Sequence, residues 1–222
     1  MLKISCLHTS QSNIALFEAV RRELKLDDVI LKHRVRADLL ADAEKAGGVT
    51  DTILDRAADE LRSVAAGADG VLLTCSTIGA AAARAAPGIE APVLRVDEAL
   101  AEEATRNGGN IIVLCTVGTT IAPTRALFEA AAVASSATIE VRLVPGAWEF
   151  FRNGQHEDYF AAIAAAADTA ADEGVAGVAL AQASMAGAAR LARNEPLTSP
   201  MAGMRAIVAA AQAAAAGEAP AS

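Results

Sequence analysis

Two short stretches of the chain share an outline and differ at the residue that decides their chemistry. VLLTCSTIG, residues 71–79, places Cys75 where an apolar run gives way to hydroxyl side chains. VALAQASMAG, residues 178–187, makes the same transition with Gln182 in the cysteine's place. A thiol on the approach to a helix N-terminus is biased toward the thiolate and can serve as base or, once protonated, as acid. A glutamine donates and accepts hydrogen bonds but carries no transferable proton at neutral pH. Cys75 is therefore the candidate proton-transfer group, and Gln182 a candidate hydrogen-bonding partner. Free cysteine is often a small core hydrophobe; against that stands the position of Cys75 at the end of its run, between Thr74 and Ser76. Cys6 and Cys115 lie within or at the end of strand-like runs and read as core.

Four loops at equivalent places carry hydroxyls: HTSQS (8–12), TCSTIG (74–79), TVGTT (116–120) and AQASM (181–185). None contains the glycine spacing of a dinucleotide or P-loop phosphate site. Backbone N–H groups with hydroxyls around them suit a small carboxylate. Thr9, Ser10, Ser76, Thr77, Thr116, Thr119, Thr120, Ala183 and Ser184 are the expected binding residues, although Ser and Thr also serve simply as helix caps. His8 titrates near neutrality when unperturbed, so it is a further proton-transfer candidate. Arg34 and Arg36 could reach a distal carboxylate, and Trp148, Phe150 and His156 could belong to a lid.

The elements that must hold these loops alternate between strand and helix. Strands are predicted near 2–7, 28–32, 71–75, 92–96, 110–115, 138–144 and 175–181. Helices are predicted at 13–25, from an N-cap at Thr50 to Gly67, at 78–86, 97–107, from Pro123 at a first helical position, at 155–173 and from about 185. A polar loop rich in Arg and Asp follows the second strand. Such alternation implies parallel sheets covered by helices on both faces. The sequence also repeats itself: 67–82 aligns without a gap on 174–189, an offset of 107 residues, and ISCLHT at 4–9 falls on IVLCT at 112–116 at the same offset. The expected fold is therefore α/β, with two pseudo-symmetric three-layer domains, parallel sheets and the active site in the cleft between them. Residues 1–96 with a returning helix at 200–216 form the first domain and 97–199 the second, with a disordered tail at 217–222.

With 222 residues, 53% of them hydrophobic, the chain can bury a sizeable core. A net charge of −8 with no basic cluster argues against nucleic acid. No signal-peptide pattern and no run of ~20 apolar residues is present, so no membrane partner and a cytoplasmic location are expected. Three widely spaced cysteines and three histidines suggest neither a disulfide framework nor a metal site.

At TCSTIG (74–79), PVLRVDEALAEEA (92–104), TVGTTIAPT (116–124) and LAQASMAG (180–187) the chain resembles the aspartate/glutamate/hydantoin racemase superfamily, which includes maleate isomerases and arylmalonate decarboxylases. The resemblance implies a cofactor-independent enzyme in which two thiols, one from each half, serve the two faces of an α-carbon. The first thiol carries over onto Cys75, whereas the second falls on Gln182. Asp97 in RVDEA reads as a helix cap with a possible role in the site. The resulting expectation is a racemase or isomerase acting next to the carboxylate of a small amino acid, a hydantoin-like compound or a dicarboxylic acid. A single-cysteine decarboxylase or lyase and a non-catalytic carboxylate-binding protein are the alternatives. A homo-oligomer is expected.

Overall fold

The computed structural model describes residues 1–217, and the chain divides into two compact units. The first comprises Met1–Val96 and the chain from Gly203 onward; the second is Asp97–Ala202. The tail expected at 217–222 lies, beyond Gly217, outside the described residues. None of the described helices is long and apolar enough to cross a membrane.

In the first unit the elements run β1 (Leu2–His8), α1 (Ser12–Glu23), β2 (Val29–Val35), α2 (Ala37–Lys45), α3 (Asp51–Ala65), β3 (Gly70–Leu73), α4 (Ala81–Ala85) and β4 (Val93–Arg95). The strands form one parallel sheet in the order β2-β1-β3-β4. Side chains alternate across it. Leu7, Val71 and Leu73 pack with Leu39, Ile53, Ala57 and Leu61 of α2 and α3. Ile4 and Cys6 point to the opposite face. On α1, Phe17 and Val20 are buried, each side chain contributing roughly 1.5–3 kcal/mol.

The second unit repeats the plan with α5 (Val96–Thr105), β5 (Asn110–Cys115), α6 (Ile121–Ala132), β6 (Thr138–Leu143), α7 (Ala147–Arg152), α8 (His156–Asp172), β7 (Gly177–Leu180) and β8 (Leu197–Thr198), after which α9 (Ser199–Ala216) returns the chain, from Gly203, to the first unit. Its sheet is also parallel, in the corresponding order β6-β5-β7-β8. The repeat read from the letters is a repeat of register. Ile4 pairs with Gly70 through Leu7 with Leu73, and 107 residues on, Ile111 pairs with Gly177 through Leu114 with Leu180.

Several local expectations needed correction. Thr50 does cap α3, its hydroxyl accepting from the Ile53 N–H at 3.4 Å. The Arg/Asp-rich segment after β2, however, is not loop but α2, whose buried Leu39 and Ala43 sit four apart on one face. Pro123 is the third residue of α6 rather than the first; its missing N–H costs nothing there, because the first four N–H groups of a helix have no partner within it. The segment from 183 to 190 is 3₁₀ rather than α-helical. The short strand β8 and helix α7 were not foreseen.

Candidate functional site

The carboxyl ends of β1 and β3 bring His8 and Thr74 together, with Cys75 next in the chain. Two of the first unit's hydroxyl loops leave the sheet here. Thr74 holds the end of β3 to β1: its N–H and its hydroxyl both donate to the Leu7 carbonyl at 3.1 Å. Cys75 is half-buried and packs against the cluster formed with α3 and α4, while Ser76 and Thr77 are exposed. The expected helix approach is absent. Turns occupy 77–80 and α4 begins only at Ala81, six residues after Cys75. A Cβ at Gly79 would lie 2.5 Å from the Arg95 guanidinium, which would have to swing aside.

His8 does not present a nitrogen to a ligand. Its ring is fully buried, Nδ1 lies 2.7 Å from Thr74 Oγ1, and Nε2 lies 2.9 Å from His33 Nδ1. Burial, helped by the neighbouring His33, pushes its pKa down to about 3, leaving the ring neutral. Thr9 is buried beside it, and Ser10 is exposed with its hydroxyl 2.8 Å from that of Ser12. His33 was not foreseen, and neither was its consequence: β1–β2 register sets Cys6 opposite His33, gathering Cys6, His8 and His33 with ligand atoms within 4.8 Å of one another. Complete burial raises the Cys6 thiol to about 12. Arg34 and Arg36 are engaged locally, both pairing with Glu60 and Arg36 also with Asp38.

In the second unit Gln182 follows β7, and its Oε1 accepts from the Thr116 N–H and the Thr116 hydroxyl, both at 2.8 Å. A backbone N–H can only donate, so the atom facing it must be the amide oxygen. The amide nitrogen is thereby turned away from Thr116 as a pair of donors. Ser184, two residues on, has its hydroxyl 3.0 Å from that of Tyr159, which also lies 3.4 Å from Thr116 Oγ1. Tyr159 is fully buried, and that burial raises its pKa against its hydrogen bonds with Ser184 and Thr116. Sequence reading missed it, yet it is the chain's only tyrosine and stands four residues before buried Ile163 on α8. A buried tyrosine needs a partner for its hydroxyl, and that requirement was the available signal.

Of the remaining candidates, Thr120 closes the 3₁₀ turn at 118–120 by donating to the Val117 carbonyl at 2.7 Å, and Thr119 is exposed. Ala183 opens the 3₁₀ segment and is half-buried. Cys115 is sealed, its thiol raised by burial against hydrogen bonds to Thr124 and Thr120. Asp97 lies inside the first turn of α5, where its Oδ1 accepts from the Glu98 N–H at 3.2 Å. Trp148 and His156 do not form a loop: Trp148 stacks on Phe151 of the same helix α7 at 5.0 Å, and Phe151 meets His156 edge-on at 5.5 Å. Phe150 packs against the core of the second unit.

A model of the Asp/Glu/hydantoin racemase family matches residues 10–216. The chain belongs to that family. No curated protein matches it. Among solved structures, this racemase-family chain is similar to the aspartate racemase of Picrophilus torridus, at 11% identity over 96% of this chain and 95% of that one, with a TM-score of 0.70. It is also similar to an aspartate racemase homologue from Pyrococcus horikoshii OT3 (16% identity, 96% and 100% coverage, TM-score 0.66). The allantoin racemase of Pseudomonas fluorescens aligns at 14% identity over 99% and 94% of the two chains, with a TM-score of 0.66. At such identities the likeness is one of fold.

Proposed function

We propose that this racemase-family protein catalyses proton transfer at the carbon next to a carboxylate in a small amino acid, hydantoin-like or dicarboxylic substrate, with Cys75 as its acid/base thiol. The observation that carries the proposal is the state of the three cysteines. Cys6 and Cys115 are buried with raised pKa values, and only Cys75 is both partly exposed and next to a hydroxyl-rich loop. The thiolate of Cys75 takes the α-proton, leaving an enediolate, and the resulting thiol returns a proton to the same carbon. Gln182 supports this step as a donor: with its oxygen committed to Thr116, its N–H groups are oriented to hold a carboxylate or enediolate oxygen. Ser184 is anchored beside it by its hydrogen bond with Tyr159.

A second reading follows from the same glutamine. Gln182 carries no proton to return on the opposite face, so inversion lags exchange. Decarboxylation needs only one proton delivered after CO₂ leaves and suits a single thiol. Incubation in D₂O with a panel of small mono- and dicarboxylic acids separates the cases. Deuterium at the α-carbon marks proton transfer, with scrambled configuration for racemization and retained configuration for one-face exchange. Loss of CO₂ marks the lyase. Binding without exchange or product across the panel marks a carboxylate-binding protein and rejects the proposal.

A further inference from the structure

Next to the Cys75 loop runs a polar chain, buried at its inner end, that the proposed chemistry does not use. Thr74 Oγ1 lies 2.7 Å from His8 Nδ1, His8 Nε2 lies 2.9 Å from His33 Nδ1, and His33 Nε2 lies 3.4 Å from Glu18 Oε1. Arg21 on the same helix closes the outer end, its Nε donating to Glu18 at 3.1 Å. The chain is a product of topology. His8 ends β1, His33 lies on β2 opposite Cys6, Glu18 lies on α1, and Thr74 follows β3.

The Thr74 hydroxyl lies within hydrogen-bond distance of both His8 Nδ1 and the Leu7 carbonyl, the latter at 3.1 Å. Both nitrogens of the buried His8 ring are engaged, and Nδ1 can pair with a hydroxyl as donor or as acceptor. Desolvation works against the Glu18 anion, but hydrogen bonds from Arg21 and His33 hold its pKa below the usual value, so the outer end carries a fixed negative charge.

We propose that His8 is a positioning residue for the reactive thiol: it holds the Thr74 hydroxyl in place, its own ring held from the other side by His33, and so fixes the backbone that presents Cys75. The inference rests on the proposed role of Cys75, but its test does not depend on turnover. Freed from His8, the loop releases Cys75 from its half-buried seat, making the thiol easier to alkylate and less effective in catalysis.

The discriminating pair is His8→Asn and His8→Gln. The asparagine amide falls near the Nδ1 position and can still pair with Thr74; the glutamine amide reaches toward His33 and cannot. Iodoacetamide should label Cys75 roughly three- to tenfold faster in His8→Gln than in the wild type, the effect of losing one hydrogen bond, and at near wild-type rate in His8→Asn. The kcat for α-proton exchange should fall by a similar factor in His8→Gln with KM unchanged, and recover in His8→Asn. Equal labelling rates in all three proteins overturn the proposal. If labelling follows the expected pattern while even the wild type exchanges no α-proton, positioning stands and the proposed function fails. Glu18→Ala, at a partly exposed site, should shift labelling the same way by less, and serves if the His8 variants do not fold. ¹⁵N-histidine NMR of the wild-type chain should show the His8 ring neutral at pH 7. A charged His8 ring at that pH, or spectral changes from Zn²⁺ coordination by Cys6, His8 and His33 at stoichiometric metal, would overturn the buried contact with Thr74 and the proposal with it.

Discussion

Lowering the pH from 7 to 5 should weaken this protein by about 2 kcal/mol through His8 alone. An unfolded histidine takes up its proton near pH 6.5, whereas His8 in the fold resists protonation down to about pH 3. Between those values the unfolded state binds more protons, so stability falls as pH falls, and the loss accumulates below pH 6.5. At pH 5 the gap amounts to about 1.5 pH units at 1.36 kcal/mol each, and at pH 7 it is close to zero. The groups facing His8 are His33 from β2, Cys6 from its own strand and, through His33, Glu18 from α1. Equilibrium urea unfolding of the wild type and His8→Asn at both pH values isolates the contribution, because the surface carboxylates titrate alike in both proteins. The wild type should lose about 2 kcal/mol more than the variant between pH 7 and pH 5. Equal losses would refute the argument that the ring is neutral, buried and costly to charge.

Alkylation of the full chain at pH 8 should label Cys75 first. Cys6, with its pKa raised to about 12, has roughly one thiolate in 10⁴ at that pH, against about a quarter for a reference thiol, and its side chain is sealed. Peptide mapping after limited iodoacetamide treatment should find one adduct; early labelling of Cys6 or Cys115 would contradict the burial. Gln182→Glu keeps an acceptor for Thr116 but replaces the outward donors with charge, so carboxylate binding should weaken by roughly 10- to 100-fold in calorimetric titration while the melting temperature holds. Gln182→Cys should convert some one-face exchange into racemization, read by chiral chromatography. Tyr159→Phe should cost about 1 kcal/mol in urea unfolding and raise KM, since Ser184 loses its anchor.

The sheets were readable because parallel strands buried on both faces are continuous apolar runs, and two copies at one offset confirm each other. That offset survives as the register shared by Ile4–Gly70 and Ile111–Gly177. Helix α2 escaped because its exposed face is crowded with charge, Asp38, Asp42, Glu44 and Lys45, and only Leu39 and Ala43 are buried. Helix α7 has six residues, too few to display a period. Cys75 and Gln182 stood out as candidates through their own types and their neighbours in sequence, and the Gln182–Thr116 contact gives the glutamine its hydrogen-bonding surroundings. Contacts that depend on register between distant strands were illegible: His33 meets His8 across 25 residues, and Thr116 meets Gln182 across 66. His8 shows the limit from the other side. Its type suggested proton transfer, but complete burial with both nitrogens engaged denies it a ligand.

The central claim is that Cys75 moves the proton on an α-carbon. Its most direct test is the rate of α-hydrogen exchange in D₂O, followed by NMR, for the wild type and Cys75→Ser with whichever acid of the panel binds. The account predicts deuterium incorporation by the wild type, and a loss of at least about 100-fold in Cys75→Ser with ligand binding and fold retained, the scale of removing an acid/base group. Undiminished exchange in Cys75→Ser would contradict it and return Cys75 to the packing of the α3 and α4 core.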